Sequence, residues 1–220
     1  MSLISKSKYH GFTLTELMVA VAINAVIFLA LVTLFIMNLT RYTNAINTNR
    51  LNQQLEAAIQ LMASDIRRAG YWSNAKNDIG LDQNNNPFMA SGVDVSVGAS
   101  NSCILFAYDK SGSGTLPAIS SSSDDERYGY RLTGGAIQTR PWGASFSCTS
   151  RDWENMTDPN IITITSLTFT LNTQSISSGG TSTITLRSVD ISVTGQLVGN
   201  ATITKTLTQH VRIRNDKFSP

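Results

Sequence analysis

"HGFTLTELMVAVAINAVIFLALVTLFIMNL", residues 10–39, places one carboxylate, Glu16, five positions past Gly11 at the mouth of a long apolar run. The polar breaks are Thr13, Thr15, Glu16, Asn24, Thr33 and Asn38, and the next charge is Arg41. Residues 17–39 are long enough to cross a hydrocarbon core, which needs about 20 helical residues. Lys6 and Lys8 precede the run. Basic residues of this kind stay on the cytoplasmic side, so the bulk of the chain is expected outside, in the periplasm.

Three readings of the segment compete. A cleaved secretory signal has a shorter apolar core followed by a small-residue site, and no A-x-A pattern follows Asn38. A plain membrane anchor explains the length but not Glu16. Cleavage between Gly11 and Phe12 explains both. It would free an α-amino group on Phe12, one helical turn from Glu16. An acid at mid-membrane costs about 2.5–3.5 kcal/mol on insertion scales, and less near the interface. In a polymer, Glu16 of one subunit would pair with the amine of a neighbour, and the polar pair would set register within a bundle of apolar helices.

The stretch "KYHGFTLTELMVAVAI", residues 8–23, closely resembles the N-terminal segment of type IV pilins and pseudopilins. That resemblance implies a membrane-embedded prepilin peptidase that cuts after Gly11 and N-methylates Phe12, and an assembly role for Glu16. The subunit is expected to have no catalytic activity and no cofactor. Its partners would be other minor pilins, the major pilin and a tip adhesin. Before assembly the protein would sit in the inner membrane, and afterwards in the pilus at the cell surface. Thr33 and Ala25 stand where major pilins often carry proline and glycine, which puts local melting of the helix in doubt.

Beyond Arg41 the polarity rises but helical spacing persists. Leu51, Leu55, Ala58, Ile59, Met62 and Ile66 recur at steps of three and four, with Arg50, Gln53, Gln54, Gln60, Ser64 and Arg67 on other faces. No proline precedes Asn86, and Gly70 is well placed as a C-cap. A continuous helix from Phe12 to about Ala69 would run roughly 85 Å at 1.5 Å per residue. From Tyr71 the pattern changes to strands. Candidates are residues 102–108, 127–132, 136–139, 160–172, 182–197 and 202–213, with turns at Gly134-Gly135, Gly179-Gly180 and Gly199-Asn200. In 160–172 the alternation moves from Ile162 and Ile164 to Leu167, Phe169 and Leu171, a bulge near Thr165-Ser166. The same shift of parity occurs in 182–197. The expected fold is α+β: a long N-terminal helix packed on an antiparallel β-sheet head, pilin-like. Its parts are a leader (1–11), a hydrophobic assembly helix (12–39), an amphipathic continuation (40–69) and the head (70–220).

The stretches "LMASDIRRAGYW", 61–72, and "QHVRIRND", 209–216, resemble minor pilins of the PilW type. This implies a subunit that helps prime pilus assembly at or near the tip. Type II secretion pseudopilins of the J type share the plan and are the alternative.

Lys6 and Lys8 account for the formal charge of +2, and the rest of the chain is balanced. A large field steering nucleic acid is therefore not supported. Cys103 and Cys148 are the only cysteines. Export of the head would make them a disulfide, and otherwise they are two buried thiols. Nucleotide-binding, serine-hydrolase and zinc-protease motifs are absent. His10 falls in the leader, and His210 reads as a surface or satisfied residue. Asp82, Asn84 and Asn86 echo the start of a calcium loop, but Pro87 and Val93 stand where glycine and glutamate are needed. Asp124, Asp125 and Glu126 are adjacent, so no separated acid pair is available. The polar stretches 74–86, 110–127 and 145–160 read as solvated loops or as a partner surface. Lys205, Arg212, Arg214 and Lys217 form a basic edge. Its readings are ion pairing, a solvated face, or a DNA- or surface-binding module presented on the fibre, though no aromatic interleaving supports the last.

Overall fold

The computed structural model describes residues 11–78, 85–119, 125–177 and 182–219. The sequence candidates Asp82, Asn84, Asp124, His10 and the Gly179-Gly180 turn lie outside these residues. The chain divides into two compact units, one through Asn47 and one comprising Thr48–Pro220.

Helix α1, Leu14–Ile66, has 53 residues. It is about 80 Å long at 1.5 Å per residue. It runs unbroken through Ala25 and Thr33. Its polar residues satisfy themselves on the helix. Thr33 Oγ1 donates to the carbonyls of Leu29 (2.9 Å) and Ala30 (2.8 Å), Thr40 to Ile36 and Thr43 to Leu39. In an apolar medium this costs nothing extra, because each hydroxyl already has an acceptor.

Within the second unit, Leu51, Leu55, Ala58, Ile59, Met62, Ala63 and Ile66 of α1 are buried in the main core. The helix tightens at its end: Arg68 and Ala69 donate to carbonyls three residues back. Gly70 follows at φ +73°, and its N–H donates to the Ala107 carbonyl at 2.8 Å. That left-handed conformation suits glycine, and a Cβ there would strike the Met89 side chain.

The head holds two antiparallel sheets where the sequence suggested one. The first contains β1 (Ser96–Val97), β2 (Cys103–Ala107), β3 (Arg127–Thr133), β4 (Ala136–Thr139) and β5 (Glu154–Asn155), in that order. Gly134 and Gly135, both at positive φ, turn β3 into β4. The second contains β6 (Ile162–Ser177), β7 (Thr183–Leu197), β8 (Asn200–Arg212) and β9 (Lys217–Ser219), with β8 and β9 both pairing β7.

The register of β6 on β7 shifts between Ile164 and Ser166, so the expected bulge falls at Thr165. The parity change in β7 has another cause. Its register against β6 runs without a shift from Thr183 to Thr194. Arg187 occupies the core face beside Val189, Ile191 and Val193, while Ile184 lies half-exposed on the other face. Arg187 is tolerated inside because Nη1 meets Asp94 at 2.6 Å and Nη2 donates to the Asn215 carbonyl at 2.6 Å.

Gly195 of β7 admits the helix closely: a Cβ there would lie 3.0 Å from Leu55 Cδ2. On the outer face of the first sheet, Leu105, Trp153 and Phe146 pack with the Cys103–Cys148 disulfide. The 45-residue separation of the two cysteines corresponds to about 4 kcal/mol in the chain-entropy account.

Candidate processing and assembly segment

The start of α1 is a capping box. Thr13 is the N-cap: its Oγ1 accepts from the Glu16 N–H at 3.3 Å. Glu16 reaches back, its Oε2 accepting from the Thr13 N–H and from Thr13 Oγ1, each at 2.9 Å. Thr13-x-x-Glu16 is the S/T-x-x-E pattern that satisfies two otherwise orphaned donors at a helix start. The sequence carried this signal. Reading Glu16 only against its apolar surroundings overlooked it. Both bonds end on Oε2, and among the described residues no hydrogen bond reaches Oε1.

Phe12, immediately ahead, is 89% exposed. Gly11 has open space where a side chain would be. From Leu14 to Leu39 the large apolar side chains other than Val32 stay exposed in the single chain, with a mean hydropathy of 2.8 over 18 residues. Among the described residues this is the one helix long and apolar enough to cross a membrane.

In the head, most titratable groups are engaged in holding loops. Asp109 is buried; burial raises its pKa, but N–H and hydroxyl donors from Ser73 and the N–H groups of Gly114 and Gly112 outweigh that and leave it below the usual carboxylate range. Asp125 is buried between Arg140 (2.7 Å) and Arg127 (3.2 Å). Glu126 is also buried, accepting from the Ser111 N–H at 2.6 Å, so part of the 110–127 stretch is interior and not solvated. Burial pushes the hydroxyls of Tyr128 and Tyr130 well up, and Tyr130 donates to Asp65 of α1 at 2.6 Å. Asn86 caps the short helix Pro87–Met89 and donates to the Gly70 carbonyl.

His210 and Asp190 are cross-strand partners on β8 and β7, with Nδ1 and Oδ1 2.6 Å apart. That hydrogen bond, with a second from Asn172, holds Asp190 below its ordinary value. Both side chains are exposed, and the pair serves cross-strand pairing on a polar face. Of the basic edge, Lys217 pairs with Asp94 and Arg212 with Asp216, whereas Lys205 and Arg214 have no ion pair among the described residues. Arg67, which the helical spacing places off the apolar stripe, lines one cleft with Arg212 and Arg214.

A prokaryotic N-terminal methylation motif matches residues 6–36. With the capped apolar helix behind it and antiparallel sheets around its second half, this defines a type IV pilin-like protein. The family model of prepilin peptidase-dependent protein B matches residues 44–213, and the chain belongs to that family. No curated protein and no solved structure matches the chain. The protein is therefore a pilin-like subunit whose processing depends on the prepilin peptidase.

Proposed function

We propose that the chain is a non-catalytic minor pilin that takes part in type IV pilus assembly at or near the tip. The observation that carries this reading is the spacing of Gly11-Phe12 and Glu16 ahead of an unbroken helix whose apolar side chains are exposed on every face. The peptidase cuts between Gly11 and Phe12 and methylates the new amine. The first half of α1 holds the subunit in the inner membrane with the head in the periplasm. Glu16 then meets the Phe12 amine of a neighbour as the helices bundle with those of other pilins. PilW-type priming together with a tip adhesin is the role that fits the stretches 61–72 and 209–216.

Intact mass of the chain from host cells with and without the peptidase tests the first step. The expected result is loss of residues 1–11 and gain of one methyl group only when the enzyme is present. An identical, full-length mass in both strains overturns it.

A further inference from the structure

Arg67, Arg212 and Arg214 converge on one cleft of about 410 Å³ in the head. Their backbone is fixed before any ligand arrives. Arg67 directly follows the last residue of α1, and the Arg214 N–H donates to its carbonyl at 3.1 Å. The Asn215 side chain donates to the carbonyls of Ala69 (3.0 Å) and Arg68 (3.3 Å), and the buried Arg187 holds the Asn215 carbonyl. The end of the long helix and the C-terminal segment are thereby stitched together, and the two unpaired arginines stand side by side.

Nothing described in the chain neutralises them. Asp216 lies 2.8 Å from Arg212 and offsets one charge. Asp65, the acid nearest in sequence to Arg67, accepts the Tyr130 hydroxyl. Arg67 and Arg214 have no ion pair among the described residues. Like charges crowded on one cleft repel, and they gain an attractive partner only from outside the chain.

We propose that this cleft is a docking site for exposed carboxylates on the head of an adjoining pilus subunit, an inference that rests on the pilus-subunit reading above. Guanidinium forks match carboxylates in geometry and charge. Between Thr48 and Pro220 acidic and basic residues are equal in number, so the head has no net field to gather a polyanion. No aromatic side chain lines the cleft to stack a base. The chain itself exposes the complementary kind of surface. Asp152, Glu154 and Asp158 are exposed on and around β5 with no ion pair among the described residues, Asp158 accepting from Asn160. Basic cleft against acidic surface is a contact that neighbouring pilin heads can make.

The test is photo-crosslinking in the native host from the full chain with p-benzoylphenylalanine at the exposed Ser64, one helical turn before Arg67. The expected product joins Ser64's position to an Asp- or Glu-bearing segment of another pilus subunit. Its yield should fall about tenfold in the Arg67→Glu, Arg214→Glu double variant, the loss of one close charge pair. It should fall less in the Arg67→Gln, Arg214→Gln variant, and return when the captured acid is replaced by Lys against the Glu variant. The proposal is overturned if no subunit is captured, if the captured segment lacks an acid, or if neither variant lowers the yield. It is also overturned if the detergent-solubilised chain retains duplex DNA at about 0.15 M salt and loses it in the Gln variant, which assigns the cleft to nucleic acid. Intact mass on the same samples separates the two levels. A chain trimmed to Phe12 with unchanged crosslinking removes only the cleft, whereas an untrimmed chain removes the pilus-subunit reading itself.

Discussion

The two halves of α1 are one helix under two different laws. From Leu14 to Leu39 its large apolar side chains, Val32 apart, are exposed around the whole circumference; from Leu51 to Ile66 a single stripe is buried and the rest is mostly polar, with Ala57 and Leu61 exposed. The first half gains nothing from its own chain and is built for another solvent or for other helices. The second half is a structural element of the head. Hydrophobicity is therefore a poor guide to what a substitution will do here; the decisive quantity is whether the side chain has neighbours in the same chain.

Substitutions sharpen that contrast. The largest effect is expected from Cys103→Ser with Cys148→Ser, which should lower head stability by about 4 kcal/mol, read by denaturant unfolding of the detergent-solubilised chain. Leu55→Ala should cost about 3 kcal/mol, because Leu55 is fully buried against Gly195. Leu29→Ala, 65% exposed in α1, should leave the same transition within about 0.5 kcal/mol. Equal losses at the two positions would erase the distinction.

A pH series probes the head alone. Asp109 titrates below its unfolded value, so its contribution is present above about pH 4 and is lost as pH falls through the lower folded value. Tyr128 and Tyr130 are raised, so stability should hold up to about pH 10 and decline above it as the unfolded chain ionises. Asp109→Asn should flatten the acid limb, and Tyr130→Phe the alkaline one.

The most local stability effect concerns Glu16 and the first turn of α1. Glu16→Gln keeps a capping acceptor and removes the charge, and Glu16→Ala removes both. Loss of the cap should cost about 1 kcal/mol, visible as fraying of the first turn by hydrogen exchange in Ala but not in Gln. Both variants should fail to enter pili if the charge sets register. Normal incorporation of the Gln variant would leave Glu16 a cap and nothing more.

Much of the fold was legible because it is local. Steps of three and four marked the helix stripe, Gly70 its end, and the parity change after Ile164 the bulge at Thr165. What escaped depends on distant residues. The parity change in β7 looked like a second bulge because Arg187 does not read as a core residue; Asp94, 93 positions earlier, and the Asn215 carbonyl make it one. The division into two sheets rests on which strands pair, and β9 is three residues too short to show periodicity. Arg67 reads as one more position off the apolar stripe until the C-terminal segment returns to it. The capping box is local too: Thr13 and Glu16 carry its S/T-x-x-E spacing in the sequence itself.

Thr13 and Glu16 close the first turn using only atoms on the C-terminal side of the Gly11-Phe12 bond. Trimming at that bond would therefore remove no hydrogen bond on which the helix start relies. A cut at that bond would change what the helix tip offers and leave its capped first turn intact.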